Sequence, residues 1–381
     1  MKAEIKNLKK AAARILQAVG KKEKVIIFGD SDPDGVGAVI ILEETLRDLG
    51  LKPAEIYFPD RQKEGYGLNE KALAFLKKQS PALIILVDCG IGNVEEIDMA
   101  NKMGFEVIIL DHHKVLSRVP KASIICDPKQ EGDKYPFKEF AAAGVVYKLS
   151  KLLFSMAAQK YQPEKFLEIT ALSTIADMMA MEADNVRFVR DGLLALNFSK
   201  RPGLIALMDI TDFKNWDIEE VRHKLIPVLC AGETKNHLNE TYSLLVEKKP
   251  AKAKKMAQFL LAKSGKRKEE ISRIFLEIEE RMDERELIVF DGDPGWPLPL
   301  LGPSASRICN RYNKPVFLFH QGKEESPGAV RMPKGMDAVK AMASCEDLLK
   351  TYGGHPPAAG FRLKNENLDK FKQCLIEYFK K

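Results

Sequence analysis

The chain has 381 residues, a hydrophobic content of 45% and a formal net charge of +6. This length predicts two domains rather than one, and the composition excludes a disordered or low-complexity protein. The small excess of basic residues allows an anionic partner without requiring one. Six cysteines occur without a CxxC pair, which indicates neither a zinc ribbon nor a disulfide framework. The N-terminus lacks the apolar core of a signal peptide and no segment is apolar enough to span a membrane, so we predict a cytoplasmic protein without membrane contact.

Predicted strands and helices alternate along the first half of the chain. An amphipathic helix over 3–19 is followed by apolar strands at 25–29, 55–58, 83–87 and 106–110, with helices near 35–49, 69–78 and 93–103. Further helices are predicted at 141–160, 164–180 and 186–197. Strands that alternate with helices are typical of βαβ units. We therefore predict an α/β fold whose mainly parallel sheet, of about five strands, is flanked by helices.

A second domain is predicted after a long helix. Residues 250–285 are rich in Ala, Lys, Glu and Leu, which favours a connecting helix, with a plain bundle helix as the alternative. After it, strands at 287–290 and 316–319 with the turn-rich stretch 291–295 begin a smaller C-terminal α/β domain. The predicted boundaries are 1–235 for the first domain, 236–285 for the helical connector and 286–381 for the second domain.

Acidic residues and histidines follow three of the predicted strands. Asp30, Asp32 and Asp34 follow the first strand, Asp88 follows the third, and Asp111-His112-His113 follows the fourth. Because parallel strands place their carboxyl ends at one edge of the sheet, we expect these side chains to meet there. Metal ions usually neutralise such a crowded group of carboxylates. Oxygen ligands with few imidazoles favour Mn²⁺ or Mg²⁺ over Zn²⁺ or Cu²⁺.

The segment Asp30–Gly35 (DSDPDG) is ambiguous by itself. An extended backbone would place its three aspartates on one face, whereas a turn through Pro33 and Gly35 would separate them. It resembles the start of an EF-hand calcium loop but lacks the distal Glu, and a solvated turn is the simpler interpretation. Asp177 ends an apolar helix, where a carboxylate either caps the helix or has a partner such as a metal. Together these clusters could hold two ions about 3.5–4 Å apart, the spacing used for phosphoester hydrolysis.

The order of these motifs resembles that of a known superfamily. Asp30–Gly35 (DSDPDG), Leu86–Gly90 (LVDCG), Asp111–His113 (DHH) and Ser173–Met179 (STIADMM) resemble the four motifs of the DHH phosphoesterases. Residues 59–68, 135–149 and 185–204 are similar to the catalytic core of the RecJ-type single-strand exonucleases, so the resemblance covers nearly the whole chain. It implies a DHH domain, a DHH-associated substrate-binding domain and a cleft between them. We expect only the catalytic core, without the additional domains of longer RecJ-type proteins.

The resemblance implies a centre of two divalent metal ions without a protein nucleophile. One ion would be held by Asp30, Asp32 and Asp88, and the other by Asp34, Asp88, His112 and Asp177, with Asp88 shared. His113 would support the site through a hydrogen bond to substrate or to a ligand. The implied catalytic residues are Asp32, Asp34, Asp88, His112, His113 and Asp177. Cys89 is interpreted as a small buried residue rather than as a nucleophile.

The second domain is expected to bind substrate phosphates. Its segments Ser304–Arg307 and Gly353–His355 resemble those of the DHH-associated domain, and the phosphate ligands predicted here are Arg307, Arg331, Gly353, Gly354 and His355. A glycine turn and ordinary surface arginines are the alternatives. Two departures bear on recognition of the strand end, since Glu233 stands where RecJ-type sequences usually have Arg and Ala329 where they usually have Ser. A Glu would repel phosphate, so the end preference stays open.

The favoured function is a Mn²⁺- or Mg²⁺-dependent exonuclease that degrades single-stranded DNA from the 5′ end to mononucleotides, in repair or recombination. One alternative is a short-substrate enzyme, such as an oligoribonuclease or a nucleoside bisphosphate phosphatase. Another is a non-catalytic subunit of a replication or repair complex, which the complete ligand set disfavours. A nicotinamide-binding fold is disfavoured because no GxGxxG follows the first strand. The choice of DNA or RNA, the polarity, the preferred ion, the oligomeric state and any protein partners stay open.

Overall fold

The first compact unit contains a five-stranded, fully parallel sheet. The computed structural model describes residues 4–115, 118–159 and 164–380, and the chain divides into two units between Ser264 and Gly265. The strands of the first sheet are β1 (Val25–Gly29), β2 (Glu55–Tyr57), β3 (Ala82–Val87), β4 (Phe105–Leu110) and β5 (Ile124–Cys126), in the order β2-β1-β3-β4-β5. The order reverses between β1 and β3, and in open α/β sheets ligands bind beside the carboxyl ends of the strands at such a point.

Helices cover both faces of this sheet, which explains why β1 is buried along its whole length. Its side chains alternate, so that Val25 and Ile27 join the core beneath α1, α2 and α5, and Ile26 and Phe28 join the core beneath α3 and α4. The helices of this unit are α1 (Leu8–Lys21), α2 (Pro33–Asp48), α3 (Glu70–Leu76), α4 (Val94–Lys102), α5 (Ala142–Met156), α6 (Glu164–Ala176), α7 (Ala183–Asn197), α8 (Pro202–Ile210), α9 (Ile218–Glu220), α10 (Ile226–Leu229) and α11 (Glu240–Val246).

Two smaller features complete the first unit. A two-stranded hairpin, β6 (Thr234–Lys235) with β7 (Leu238–Asn239), lies between α10 and α11. A long helix, α12 (Pro250–Arg281), begins in the first unit, continues through Gly265 and ends in the second. None of the helices in the described part of the chain combines the length and the apolar content needed to cross a lipid bilayer.

The second unit is a smaller α/β domain with a mixed sheet. Its strands are β8 (Val289–Asp293), β9 (Val316–His320), β10 (Glu325–Arg331), β11 (Thr351–His355) and β12 (Ala358–Lys364), in the order β11-β12-β10-β9-β8. Only β8 and β9 pair in parallel, and the other neighbours are antiparallel. The helices are α13 (Leu298–Tyr312), α14 (Ala338–Ala343) and α15 (Leu368–Phe379). One face of the sheet packs on Phe371 of α15 and the other on Ile308 of α13.

The predicted α/β fold, with a parallel sheet flanked by helices and a smaller C-terminal α/β domain, is confirmed. Several details differ. The prediction omitted β5, the hairpin, β10 and β12, and it placed Gly353–His355 in a loop, whereas these residues belong to β11. The apolar run of β5 has only three residues and each hairpin strand has two, which is too short for a periodic signal, and β10, β11 and β12 contain Gly or Pro, which usually indicate turns. The predicted domain boundaries stay a prediction, although α12 lies entirely within the predicted connector.

One cysteine pair is bonded despite the scattered spacing. Cys345 forms a disulfide with Cys374 of α15, 29 residues further along the chain. Cysteine spacing does not predict this pair, because the two residues meet only through the packing of α14 against α15. Cys89 is buried and is not disulfide-bonded, as its interpretation as a small packed residue requires.

Candidate metal centre

The DSDPDG segment forms the turn from β1 into α2. Asp32 is the N-terminal cap of α2, because its Oδ1 accepts hydrogen bonds from Asp34 N (2.9 Å) and Gly35 N (3.0 Å). Pro33 occupies the first helical position, which suits its fixed φ. The turn, and not the extended alternative, is therefore formed, and Asp34 lies in the first turn of the helix.

Asp34 also holds the start of α5. Its Oδ2 accepts from Ala142 N (2.6 Å) and its Oδ1 from Ala143 N (2.9 Å), so both oxygens face the positive end of that helix. The side chain is buried, with 1% of its surface exposed. The contact between α2 and α5 thus fixes the position of a predicted metal ligand.

Asp88 and His112 connect the strand ends at the reversal of strand order. Asp88 follows β3 with a φ of +61°, an uncommon left-handed conformation for a residue other than glycine. Its Oδ1 lies 3.1 Å from His112 Nε2. The same imidazole nitrogen is 3.8 Å from Asp34 Oδ2 and 3.7 Å from Asp177 Oδ2. His112 therefore lies at the centre of three carboxylates.

The role of Asp111 is to orient the two histidines, because both of them contact its carboxylate. Its Oδ1 accepts from His112 N (2.7 Å) and His113 N (3.2 Å), and its Oδ2 accepts from Ile91 N (3.0 Å). His113 Nδ1 is a further 2.8 Å contact of Oδ1. Burial opposes ionisation of Asp111, but the neighbouring His113 holds the pKa of this carboxyl below its usual range. Asp111 in turn raises the pKa of His113 against the effect of burial.

The structure brings all six predicted metal ligands together in two adjoining groups. One group is Asp30, Asp32 and Asp88, the other is Asp34, His112 and Asp177, and in each group the candidate ligand atoms lie within 4.8 Å of one another. A third group, of Asp88, Asp111, His112 and His113, overlaps both. That these side chains bind ions stays a prediction.

The electrostatics of the groups fit divalent cations. Burial, followed by the charge of Asp32, raises the pKa of Asp34 to about 7. Burial and neighbouring carboxylates also raise the pKa of Asp88 and of Asp177 well above the usual value. Among the described residues, Asp177 Oδ2 has no hydrogen-bond partner although it is buried. Cations relieve this repulsion, and a donor set of carboxylate oxygens with one imidazole nitrogen suits Mn²⁺ or Mg²⁺.

The loop between β2 and α3 contributes contacts that the sequence did not assign. Tyr66 Oη donates to Asp88 O (2.8 Å) and lies 3.2 Å from His113 Nδ1. Arg61 Nε donates to Asp30 Oδ1 (2.8 Å) and its Nη2 to Asp32 Oδ2 (3.1 Å). The only signal for these residues was the family-like stretch 59–68, which does not say what they touch.

Asp127 was missed for a different reason. It follows β5, is fully buried, and has an Oδ2 without a hydrogen-bond partner among the described residues. Burial, followed by the charge of Asp111, raises the pKa of Asp127 to about 8. The rule that found Asp30, Asp88 and Asp111 would have found it too, had β5 been recognised.

In the second unit, four of the five predicted phosphate ligands, Arg331 and Gly353–His355, lie on strands of the mixed sheet. Arg331 and His355 both pair with Ala358 of β12, from opposite sides, so they occupy one row of the sheet. Arg331 Nε donates to Ser306 Oγ (2.9 Å), and no carboxylate of the described chain pairs with its guanidinium. Burial lowers the pKa of Arg331. Arg307 is placed differently, because it donates to Ser272 Oγ (2.8 Å) and stacks on Phe275 (4.3 Å).

Comparison with known proteins agrees with this arrangement. The profile of the DHH family, N-terminal domain, matches residues 24–181, which include all six predicted metal ligands, and the DHHA1 domain profile matches residues 285–381. The single-stranded-DNA-specific exonuclease RecJ of Bacillus subtilis is 33% identical over 381 residues. The chain belongs to the DHH superfamily and is of the RecJ type. The predicted resemblance is therefore confirmed.

Solved RecJ-type structures share the fold over the whole chain. An exonuclease RecJ bound to manganese has a TM-score of 0.80 and 28% identity, with 99% of this chain and 95% of that chain covered. RecJ from Thermus thermophilus in complex with Mn²⁺ has a TM-score of 0.84 and 26% identity, with 100% of this chain and 55% of that chain covered. The B. subtilis alignment covers 98% of this chain and 48% of RecJ, so the chain spans about half the length of that relative.

Proposed function

We propose that this RecJ-type chain is a metal-dependent exonuclease that hydrolyses phosphodiester bonds in single-stranded nucleic acid. The specific form we propose cleaves DNA from the 5′ end, releases mononucleotides and serves DNA repair or recombination in the cytoplasm. The observation that carries the proposal is the junction of two carboxylate-rich groups through the 3.1 Å contact between His112 Nε2 and Asp88 Oδ1. The similarity to RecJ exonucleases supports the choice of substrate.

Each group supplies ligands of the kind that Mn²⁺ and Mg²⁺ prefer. Asp30, Asp32 and Asp88 would hold one ion, and Asp34, Asp88, His112 and Asp177 the other, with Asp88 shared. When bound, such ions lower the pKa of a water molecule and neutralise the charge that develops on phosphate oxygens. The remaining tasks belong to side chains that hold these ligands and the substrate in place.

Asp111 is proposed to position the histidines, and backbone amides of α5 hold Asp34. Asp111 fixes the ring of His113 through Nδ1 and the backbone of His112 through its amide. We assign His113 a hydrogen bond to substrate, which suits a ring whose protonated form is stabilised by Asp111. Asp34 keeps its orientation because two amides of α5 hold its oxygens.

In the second unit, Arg331 is the strongest candidate for binding phosphate. Its guanidinium is partly buried, and a planar fork of donors matches phosphate oxygens. His355 occupies the same row of the sheet, and Gly353 and Gly354 leave the backbone of β11 open to a ligand. For Arg307 we propose only that it binds one further phosphate of the substrate.

The test is a cleavage assay with the full chain and Mn²⁺ on single strands labelled at the 5′ or 3′ end, in DNA and RNA of several lengths. We expect early release of the 5′ label as a mononucleotide from long DNA and no release by Asp88→Ala. Lys63→Gln, a change at an exposed lysine, is the matched control and should cleave normally. Absence of metal-dependent cleavage of any strand would refute the proposal and favour a non-catalytic subunit.

A short-substrate phosphodiesterase is the second candidate, and Glu233 favours it. Thr234, the next residue, contacts Ser31 Oγ (3.2 Å), so a partly exposed carboxylate lies beside the DSDPDG turn. Lys263 Nζ pairs with Glu233 (2.7 Å) and Glu240 (2.8 Å), and Lys235 Nζ pairs with Glu240 (3.0 Å), so the lysines here are engaged by carboxylates. The position therefore lacks the guanidinium that would bind a phosphate of a longer strand. Cleavage restricted to strands of a few nucleotides, and extended to longer strands by Glu233→Arg, would support this candidate.

A further inference from the structure

Arg61 contacts the carboxylates of only one of the two proposed ion sites. Its Nε donates to Asp30 Oδ1 (2.8 Å), and its Nη2 donates to Asp32 Oδ2 (3.1 Å) and also contacts Asp30 Oδ2. Asp30 and Asp32 are, with Asp88, the three residues of the first group. A guanidinium that bridges two carboxylates uses the same oxygens that a divalent ion would need.

The second group has no lysine or arginine partner among the described residues. The basic side chains near both Asp34 and Asp177 are the imidazoles of His112 and His113. The two sites therefore differ in what an ion must displace. At the second site an ion meets carboxylates that pair with no lysine or arginine of the described chain, whereas at the first site it meets carboxylates already paired with a guanidinium.

Two hydrogen bonds that do not involve the guanidinium anchor the loop around Arg61, and the guanidinium also lies over the Tyr66 ring (5.7 Å). Tyr57 Oη donates to Glu64 Oε2 (2.7 Å), and Tyr66 Oη donates to Asp88 O (2.8 Å), so the backbone is held on the C-terminal side of Arg61. The Arg61 side chain itself is 43% exposed, while Asp30 is 1% exposed. The guanidinium can thus rotate into solvent without unfolding the loop, but a buried Asp30 must then receive another cation.

We propose that Arg61 is an internal counter-ion that competes with the divalent ion for Asp30 and Asp32. The inference rests on the proposed function only in requiring that divalent ions bind here. Competition lowers the apparent affinity of the first site, so the site formed by Asp34, His112 and Asp177 fills first. Arg61 thereby makes occupancy of the first site sensitive to the concentration of free ion.

The test measures ion binding directly, without substrate. The full chain, treated with EDTA and dialysed, is titrated with Mn²⁺, and free Mn²⁺ is read by electron paramagnetic resonance. We expect a tighter and a weaker class of site in the wild type. Arg61→Gln should tighten the weaker class by about tenfold or more and change the tighter class by less than about threefold, because the competitor is removed from one site only. Asp177→Asn should abolish the tighter class.

Matched variants separate local competition from a general charge effect. Lys63→Gln removes a positive charge from the same loop, where Lys63 is 79% exposed and pairs with Asp60, and it should leave both classes unchanged. Arg61→Lys keeps the charge without the fork and should lie between wild type and Arg61→Gln. In EDTA, Arg61→Gln should melt at a lower temperature than wild type, and saturating Mn²⁺ should remove this difference.

Two results would overturn the proposal. The weaker class could stay unchanged or become weaker in both Arg61→Gln and Arg61→Lys, or Lys63→Gln could tighten it as much as Arg61→Gln does. A wild-type chain that binds no Mn²⁺ would instead refute the proposed function, whereas two classes that ignore Arg61 refute only the role given to this residue.

Discussion

Arg201 joins the two helices that position three of the proposed ligands. Its Nη1 and Nη2 donate to the two carboxylate oxygens of Glu44 (2.7 and 3.0 Å), and its Nε donates to Glu168 Oε1 (2.8 Å). Glu44 lies on α2, which begins with the Asp32–Asp34 turn, and Glu168 lies on α6, which Asp177 follows. Arg201 is 7% exposed, so these contacts are shielded from water. Arg201, which lies in a segment that resembles the RecJ-type exonucleases, therefore has a structural role.

We predict that Arg201→Met destabilises the first unit by about 3–5 kcal/mol, the usual result of removing one partner from a buried ion pair. Glu168, at 4% exposed, would keep a charge without a cationic partner, and burial already raises its pKa. With a urea slope of about 3 kcal/mol/M for a unit of this size, the midpoint should fall by about 1 to 2 M. Looser packing of α2 on α6 should also weaken Mn²⁺ binding.

The assay is urea unfolding followed by tryptophan fluorescence in a Trp296→Phe background. Trp216 is then the only tryptophan and reports on the first unit. Arg190→Met, at a 67% exposed arginine of α7, is the control and should leave the midpoint unchanged. Adding Glu44→Gln and Glu168→Gln to Arg201→Met should recover much of the loss, because no buried charge then stays unpaired. An unchanged midpoint in Arg201→Met would refute the reasoning.

Three further predictions concern single contacts. A Cβ on Gly37 would lie 2.1 Å from Ser173 Oγ, so Gly37→Ala should lower the free energy of unfolding by about 1–3 kcal/mol, as measured by thermal unfolding. Adding Ser173→Ala should restore most of this stability, and an unchanged stability of Gly37→Ala would contradict the close packing of α2 on α6. Tyr66→Phe loses the hydrogen bond to Asp88 O and should cost about 0.5–1.5 kcal/mol, with faster tryptic cleavage in the loop 59–68; equal cleavage rates would argue against this anchor. Arg331→Ala should raise KM for single-stranded DNA by about tenfold or more without changing Mn²⁺ binding. The control Arg285→Ala, at a 90% exposed arginine, should leave KM unchanged. Equal KM values for Arg331→Ala and wild type would show that Arg331 does not bind substrate.

The carboxyl edge of the parallel sheet was predicted well, because each of its longer strands is an apolar run that can be recognised from adjacent residues alone. The apolar runs of β1, β3 and β4 end directly before Asp30, Asp88 and Asp111, and parallel pairing leaves these ends side by side. The strands that were not predicted lack such a local signal. β5 has three residues, β10 contains Ser, Pro and Gly, and β11 contains two Gly, so the pairing of these strands depends on neighbours that the sequence does not identify. The contacts of Arg61 depend in the same way on the path of a loop.

The roles of individual carboxylates required the structure for a further reason. A sequence motif does not distinguish Asp34, Asp111 and Asp177, since all three are aspartates. A carboxylate can bind an ion, however, only through oxygen lone pairs that do not already accept hydrogen bonds from other donors. Three backbone amides and His113 already occupy the oxygens of Asp111, two amides of α5 share those of Asp34, and Asp177 Oδ2 accepts no hydrogen bond from the described residues. Asp111 therefore orients the histidines, Asp34 holds the start of α5 and is also a proposed ligand, and Asp177 has the greatest remaining capacity for an ion. Hydrogen-bond saturation, which a motif does not encode, is the basis on which we separate proposed ligands from supporting residues.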